Sequence, residues 1–392
     1  MRRAAIVAPV RTPAGVAGGA LAALPPQRLA AAAITGAVRQ SGVDAARVDE
    51  VVLAGDHGFG RFAAAAAGLE SDVAGFDIEG HGGTGLPALI TAAMMVHTGA
   101  ATVVVAGGVH TAAPVEALVM PDDPAHVERL ARAYRITRAE SDEFAMISRR
   151  RAARAWRQGI FDPETVPVVA AAPDELRHRS ESAVPHLVDR DEQLRADVST
   201  RALAGLAPLL PGGVLTAGAV CAPAAGAAAC LVVAEDRLVD LGLEPIAYLT
   251  DWAAAGTDGS IPAAAPAIAK LLSRSGVSLG EVDLLEVAEG SAVEVLALAR
   301  HCGWHDLDLL DVNGGAIALG DPGAAAGPRM TTTLLHELVR RNGTYGLLAA
   351  DSGPDRGTAL LFESAGAAPT SVAPRGARFH GMRTRRSGRH RA

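Results

Sequence analysis

The side chains best placed by type and spacing to do chemistry are few. Three cysteines, Cys221, Cys230 and Cys302, offer thiols. Their odd number, without metal-ligand spacing, fits neither a disulfide framework nor a zinc site. Cys221 reads as a small buried cysteine or as a thiol nucleophile. His81 precedes Gly82-Gly83-Thr84-Gly85-Leu86 at a predicted helix start. An imidazole there would serve as a base, or simply as a structural histidine. Asp56 and His57 adjoin in LAGDHGFGR, but adjacency does not make a dyad and the stretch reads as a polar turn. The runs GHGGTG and GDPGAAAG lack the Gly-Lys-Ser/Thr ending of a phosphate loop and read as tight turns at helix starts.

The elements that must position these residues occur in duplicate. One stretch runs VDEVVLAGD, a helix, GFDIEGHGGTGLPALITAAMMVHTG and ATVVVAGG. The other runs VDLLEVAEG, a helix, LDLLDVNGGAIALGDPGAAAGPRMTTTLLHELVRR and TYGLLAADSG. In each, a β-rich run leads to a Gly-rich turn, an apolar helix and a short apolar strand, an alternation that predicts α/β layers in two similar halves. The opening AAIVAPVR reads as a first strand, since its apolar run stops at Arg11, too soon for a signal peptide.

Between the halves the pattern changes to one charged helical stretch, HVERLARAYRITRAESDEFAMISRRRAARAWRQG, and then to polar, proline-containing loop. Thr137 with Glu140 three residues on predicts a capping box and a helix start. The chain returns to buried-strand composition at GVLTAGAVCAPAAGAAACLVVAE, which should complete the first half's sheet.

Taken in order, AAIVAPVRTP, GGTGLPA, VVVAGG, RITRAESDEFAMISRRRAARAWRQGIFDPETVPV, GVLTAG and VNGGAIALG resemble the degradative and biosynthetic thiolases, from about Ala4 to Glu363. The resemblance implies the thiolase fold, two βαβ-type halves in five layers (αβαβα) with an inserted loop domain. The expected boundaries are 1–114 with 209–235 for the first half, 115–208 for the insertion, 236–364 for the second half and 365–392 for a tail. It further implies acyl-CoA chemistry and assembly as dimers or tetramers.

The same resemblance places the family's functional positions on unlike residues. The nucleophilic cysteine, which sits at a helix N-terminus that favours a thiolate, falls on Gly82. The Asn-Glu-Ala-Phe block, which holds an oxyanion-hole water, reads Ala288-Glu289-Gly290-Ser291. The histidine of the Gly-His-Pro motif falls on Asp321, and the second cysteine, the acid/base for the α-proton, falls on Asp351. The cation that stacks on the CoA adenine falls on Ala207, and the pocket-covering stretch between Gly108 and His126 is short. Cys221 replaces a serine of the pantetheine channel, so the resemblance makes it a weak ligand contact.

From these replacements the expectation is a protein without thiolase activity, with no resident cofactor and with CoA thioester binding weakened. It would be a non-catalytic or partner subunit, dimeric with itself, with a thiolase-fold chain or with a small partner protein. The alternative is a re-purposed acyltransferase, aldolase or lyase. There Asp321 and Asp351 would split their pKa values into an acid and a base, with His81 as a further candidate.

Composition bounds the rest. No stretch offers the roughly 20 uninterrupted apolar residues of a membrane span, and the cysteine usage fits the cytoplasm. The net charge of −7 conceals a tail that, from Ala365 onward, carries seven arginines, two histidines and no acid. Such a tail should be disordered. It is a solvated terminus, or a basic arm for nucleic acid, an acidic lipid surface or an acidic partner.

Overall fold

A computed structural model of the chain describes residues 2–55, 59–78, 84–112, 123–170, 186–194 and 198–366. The strands are β1 (Ala4–Arg11), β2 (Gly15–Val16), β3 (Glu50–Ala54), β4 (Ala74–Ile78), β5 (Val103–His110), β6 (Val168–Ala170), β7 (His186–Val188), β8 (Ala224–Ala234), β9 (Ala247–Gly256), β10 (Leu284–Val287), β11 (Tyr345–Asp351) and β12 (Arg356–Ser364). The helices are α1 (Pro26–Ser41), α2 (Phe59–Ala66), α3 (Leu86–Thr98), α4 (Pro124–Ala133), α5 (Arg138–Arg157), α6 (Thr200–Ala204), α7 (Leu238–Leu241), α8 (Ala264–Ser275), α9 (Ala292–Cys302), α10 (Ala316–Leu319) and α11 (Ala326–Arg340).

Apolar runs without polar alternation form the strands that are covered on both faces. Every residue of β8 is buried, and all of β5 is buried except His110 at its end. The strand order is β10-β11-β12-β9-β1-β8-β5-β3-β4, with β2 also on β8. The GVLTAG segment leads into β8, which pairs with β1 and β5 and so completes the first half's sheet as expected. The two halves do not keep separate sheets, however. β1 pairs with β9 as well as β8, through Ala4 to Ile6, and so joins them into one.

Three apolar clusters build the layers. One lies between α1, α2 and the first half's strands. A second holds α3 and α11 between the strands of both halves, with Leu89 and Leu335 fully buried. A third lies between the second half's strands and α8 and α9. The result is the αβαβα order, in which α3 and α11 are the central helices and most residues of α11 are buried.

The halves differ in detail. In the first, GFDI forms β4. In the second, the matching LDLLD makes only a bridge from Leu310 to Leu285, because the backbone turns at Asp311 with φ of 43°. The charged insertion helix is two helices rather than one. Arg135, with φ of 53°, breaks the run, and Asp123 and Thr137 cap the N-termini of α4 and α5. The Thr137–Glu140 capping box is present.

The insertion is tied to β1 by a buried charge cluster. Arg11 Nε donates to Glu164 at 2.6 Å and Arg11 Nη1 to Asp191 at 2.8 Å, while Trp156 Nε1 donates to Asp191 at 2.9 Å. Every charge here has a partner, the condition under which burying it is tolerable. Among the described residues no helix is long and apolar enough to cross a membrane. The arginine-rich part of the tail lies outside the described residues.

Candidate functional site

Asp321 sits on the turn between α10 and α11. Gly320 precedes it with φ of 90°, a conformation open to glycine, and the turn is then fastened to the segment ahead of β8. Asp321 N–H donates to Ala222 O and Ala224 N–H donates to Asp321 O, each at 2.8 Å. The Asp321 carboxylate accepts from Gly323 N–H at 2.9 Å, which fixes Oδ1. Its Oδ2 lies 4.0 Å from Cys221 Sγ. Sequence-distant Cys221 and Asp321 are thus brought together.

Cys221 is itself held by its N–H, which donates to Gly290 O at 3.1 Å. Burial, and then the carboxylates of Asp321, Glu294 and Glu289, push its thiol well above the ordinary range. It is a protonated thiol among acids, not a ready thiolate.

Asp351 ends β11, facing Gly357 of β12. Burial, and then Glu294, push its carboxyl up to about 7, against the pull of the backbone N–H groups of Ala264 and Ala263 at the start of α8. Its Oδ1 has no hydrogen-bond partner. A carboxyl that titrates near neutrality both takes and returns protons.

Glu294 stands within electrostatic reach of both Cys221 and Asp351. It is placed by Ser291, the N-cap of α9: Ser291 Oγ accepts from Glu294 N–H at 3.2 Å and donates to its Oε2 at 2.7 Å. Glu289, 1% exposed, accepts from Ser148 Oγ at 2.8 Å and from Ile317 N–H at 3.0 Å. It thereby links α5 to the start of the loop that carries Asp321. Burial raises its pKa, opposed by those two bonds.

Other candidates fare differently. His81, Gly82, Asp56 and His57 lie outside the described residues, as does most of the short stretch after Gly108. Ala288 is partly buried and donates its N–H to Ala349 O at 3.0 Å, while Ala207 is exposed. Burial raises the Cys230 and Cys302 thiols to about 12 and about 11, so both act as apolar side chains. Among the described residues no group of His, Cys, Asp and Glu could hold a metal ion.

Sequence reasoning missed Glu294, although Ser291 with Glu294 three residues on is a helix-start signal. It also missed His110. That histidine ends β5, and in open α/β sheets the carboxyl ends of strands are where ligands bind.

The chain matches the thiolase N-terminal domain family over residues 4–122 and 124–236, and the thiolase C-terminal domain family over residues 243–364. It is 34% identical to an acetyl-CoA acetyltransferase of Paracoccus denitrificans, over 93% of this chain and 100% of that one. It is also 34% identical to a probable acetyl-CoA acyltransferase of Staphylococcus aureus, over 86% and 93%. The crystal structure of the Bacillus anthracis acetyl-CoA acetyltransferase superposes with a TM-score of 0.85 at 32% identity, covering 93% of this chain and 99% of that one. Human mitochondrial 3-ketoacyl-CoA thiolase in complex with CoA gives 0.84 at 27%, covering 93% and 98%.

These relatives, named for acyl transfer, overturn the expectation of a non-catalytic or partner subunit, and with it the aldolase or lyase alternative. That expectation weighed four side chains above a likeness that runs collinearly through both domains, including the loops that carry Asp321 and Asp351. Matched in both domains and in fold, the chain belongs to the thiolase family.

Proposed function

We propose that this protein transfers acyl groups between coenzyme A thioesters, the class of reaction for which its relatives are named. The observation that carries the reading is Asp351. It is a carboxyl raised to about 7 at the strand end where the resemblance places the family's α-proton acid/base. In this reading Asp351 removes the α-proton of one thioester. The resulting carbanion attacks the carbonyl of the other, and the C–S bond breaks with its electron pair leaving on the CoA sulfur. The reverse reaction uses the same groups, with Asp351 returning the proton.

Gly82 has no side chain to acylate, so both partners of the reaction are bound at once and no acyl-enzyme forms. Asp321 and Cys221 line the thioester end of the site. The domain boundaries proposed from the sequence apply, and the protein is proposed to work in the cytoplasm as a homodimer.

The test is acetoacetyl-CoA cleavage by CoA, with acetyl-CoA quantified by mass spectrometry. The expected result is turnover with ternary-complex kinetics, no acyl adduct on the protein, and loss of activity in Asp351→Asn. A folded protein that binds CoA yet turns over no acyl-CoA from C4 to C16 would defeat the proposal.

A further inference from the structure

Asp321 stands where the resemblance expects an imidazole, yet an imidazole lies against the same turn. His110 ends β5 and is paired in register with Gly226 of β8. A Cβ on Gly226 would come 3.3 Å from Pro322 Cβ, so the missing side chain lets the Asp321–Gly323 turn close over this strand end. The closure is tight: a Cβ on Gly108 would collide with the Ala324 carbonyl oxygen. At Gly323, φ 47°, a Cβ would stand 3.2 Å from both Cγ and Nδ1 of His110. The ring therefore packs directly on Gly323, whose N–H holds Asp321 Oδ1. Gly85, at the start of α3, packs against the same Ala324 carbonyl, so His110 also lies near the helix start to which Gly82 leads.

We propose that His110 is the acid/base imidazole of this site, carried on β5 and set against the turn that Asp321 braces through Gly323 N–H. The inference rests on the acyl-transfer reading. As the C–S bond breaks, the imidazolium of His110 gives its proton to the departing CoA sulfur, while Asp351 holds the α-proton. Proton exchange with water then resets both groups, so no oxidant, metal or acyl-enzyme is required. Asp321 cannot take the imidazole's part as a cation donor.

The test joins turnover with a binding readout. His110→Gly should lose 10²- to 10⁴-fold in acetoacetyl-CoA cleavage and regain at least tenfold with added imidazole, which a merely structural role would not allow. Carbethoxylation of His110 by diethyl pyrocarbonate, mapped on peptides, should be slowed at least fivefold by acetyl-CoA. Full activity in His110→Gly, or a loss that imidazole does not relieve in a variant melting like wild type, overturns the proposal. So does unaltered modification in the presence of acetyl-CoA. Protection in a wild-type protein that turns nothing over supports the placement of His110 and counts instead against the acyl-transfer reading.

Discussion

Replacing Asp351 with Asn removes a charge that the fold resists, so stability and activity should move in opposite directions. Burial and Glu294 carry the carboxyl from 3.8 to about 7. At about 1.4 kcal/mol per unit, the ionised form is disfavoured in the fold by up to about 4 kcal/mol. Below pH 3.8 the group is protonated in both folded and unfolded chains and carries no penalty. As pH rises the unfolded chain ionises first, so stability falls until the folded carboxyl ionises near 7, above which the loss is complete. Asn stands for the protonated form throughout. Any fixed cost of its amide near the unpartnered Oδ1 position cancels between pH values. The advantage of Asp351→Asn over wild type should therefore grow by about 2–3 kcal/mol between pH 5 and pH 8. Urea unfolding at four pH values in that range measures it. An advantage that is flat, or that shrinks as pH rises, would refute the account of Asp351. The same variant should lose 10²- to 10⁴-fold in acyl transfer, and a stability gain joined to lost activity is the mark of a group kept for chemistry.

Two further outcomes test how the site is held. Gly108→Ala should cost about 2 kcal/mol or more in thermal or urea unfolding and should also depress acyl transfer, because its Cβ meets backbone at Ala324 rather than a side chain that can swing away. Asp191→Asn should destabilise by about 3–5 kcal/mol, since it leaves the Arg11 guanidinium buried with its principal partner neutral. A loss below 1 kcal/mol would mean that Glu164 alone suffices for Arg11.

Much of the scaffold was legible because it is local. The Thr137–Glu140 box, the first strand and the buried run of β8 depend on residues a few positions apart, and each was read where it lies. The end of α4 was not, because Arg135 at positive φ has no glycine to signal it, although the Thr137–Glu140 box marked where α5 begins. The joining of the halves through β1 and β9 was likewise hidden, since strand patterning does not name the neighbour.

By itself, the sequence determined the duplicated α/β plan and which residue types occupy the loop positions, Gly82, Asp321 and Asp351 among them. Reading those types singly led to the wrong expectation of an inactive subunit. The tertiary structure alone decided what the types do. It set Cys221 among three carboxylates, brought Asp351 to about 7 by burial and Glu294, and laid His110 on the turn that carries Asp321. The physical reason is that proton affinity depends on desolvation and on charges within a few ångströms. In this chain those neighbours come from distant segments, 100 residues apart for Cys221 and Asp321, and only the packed fold brings them within range.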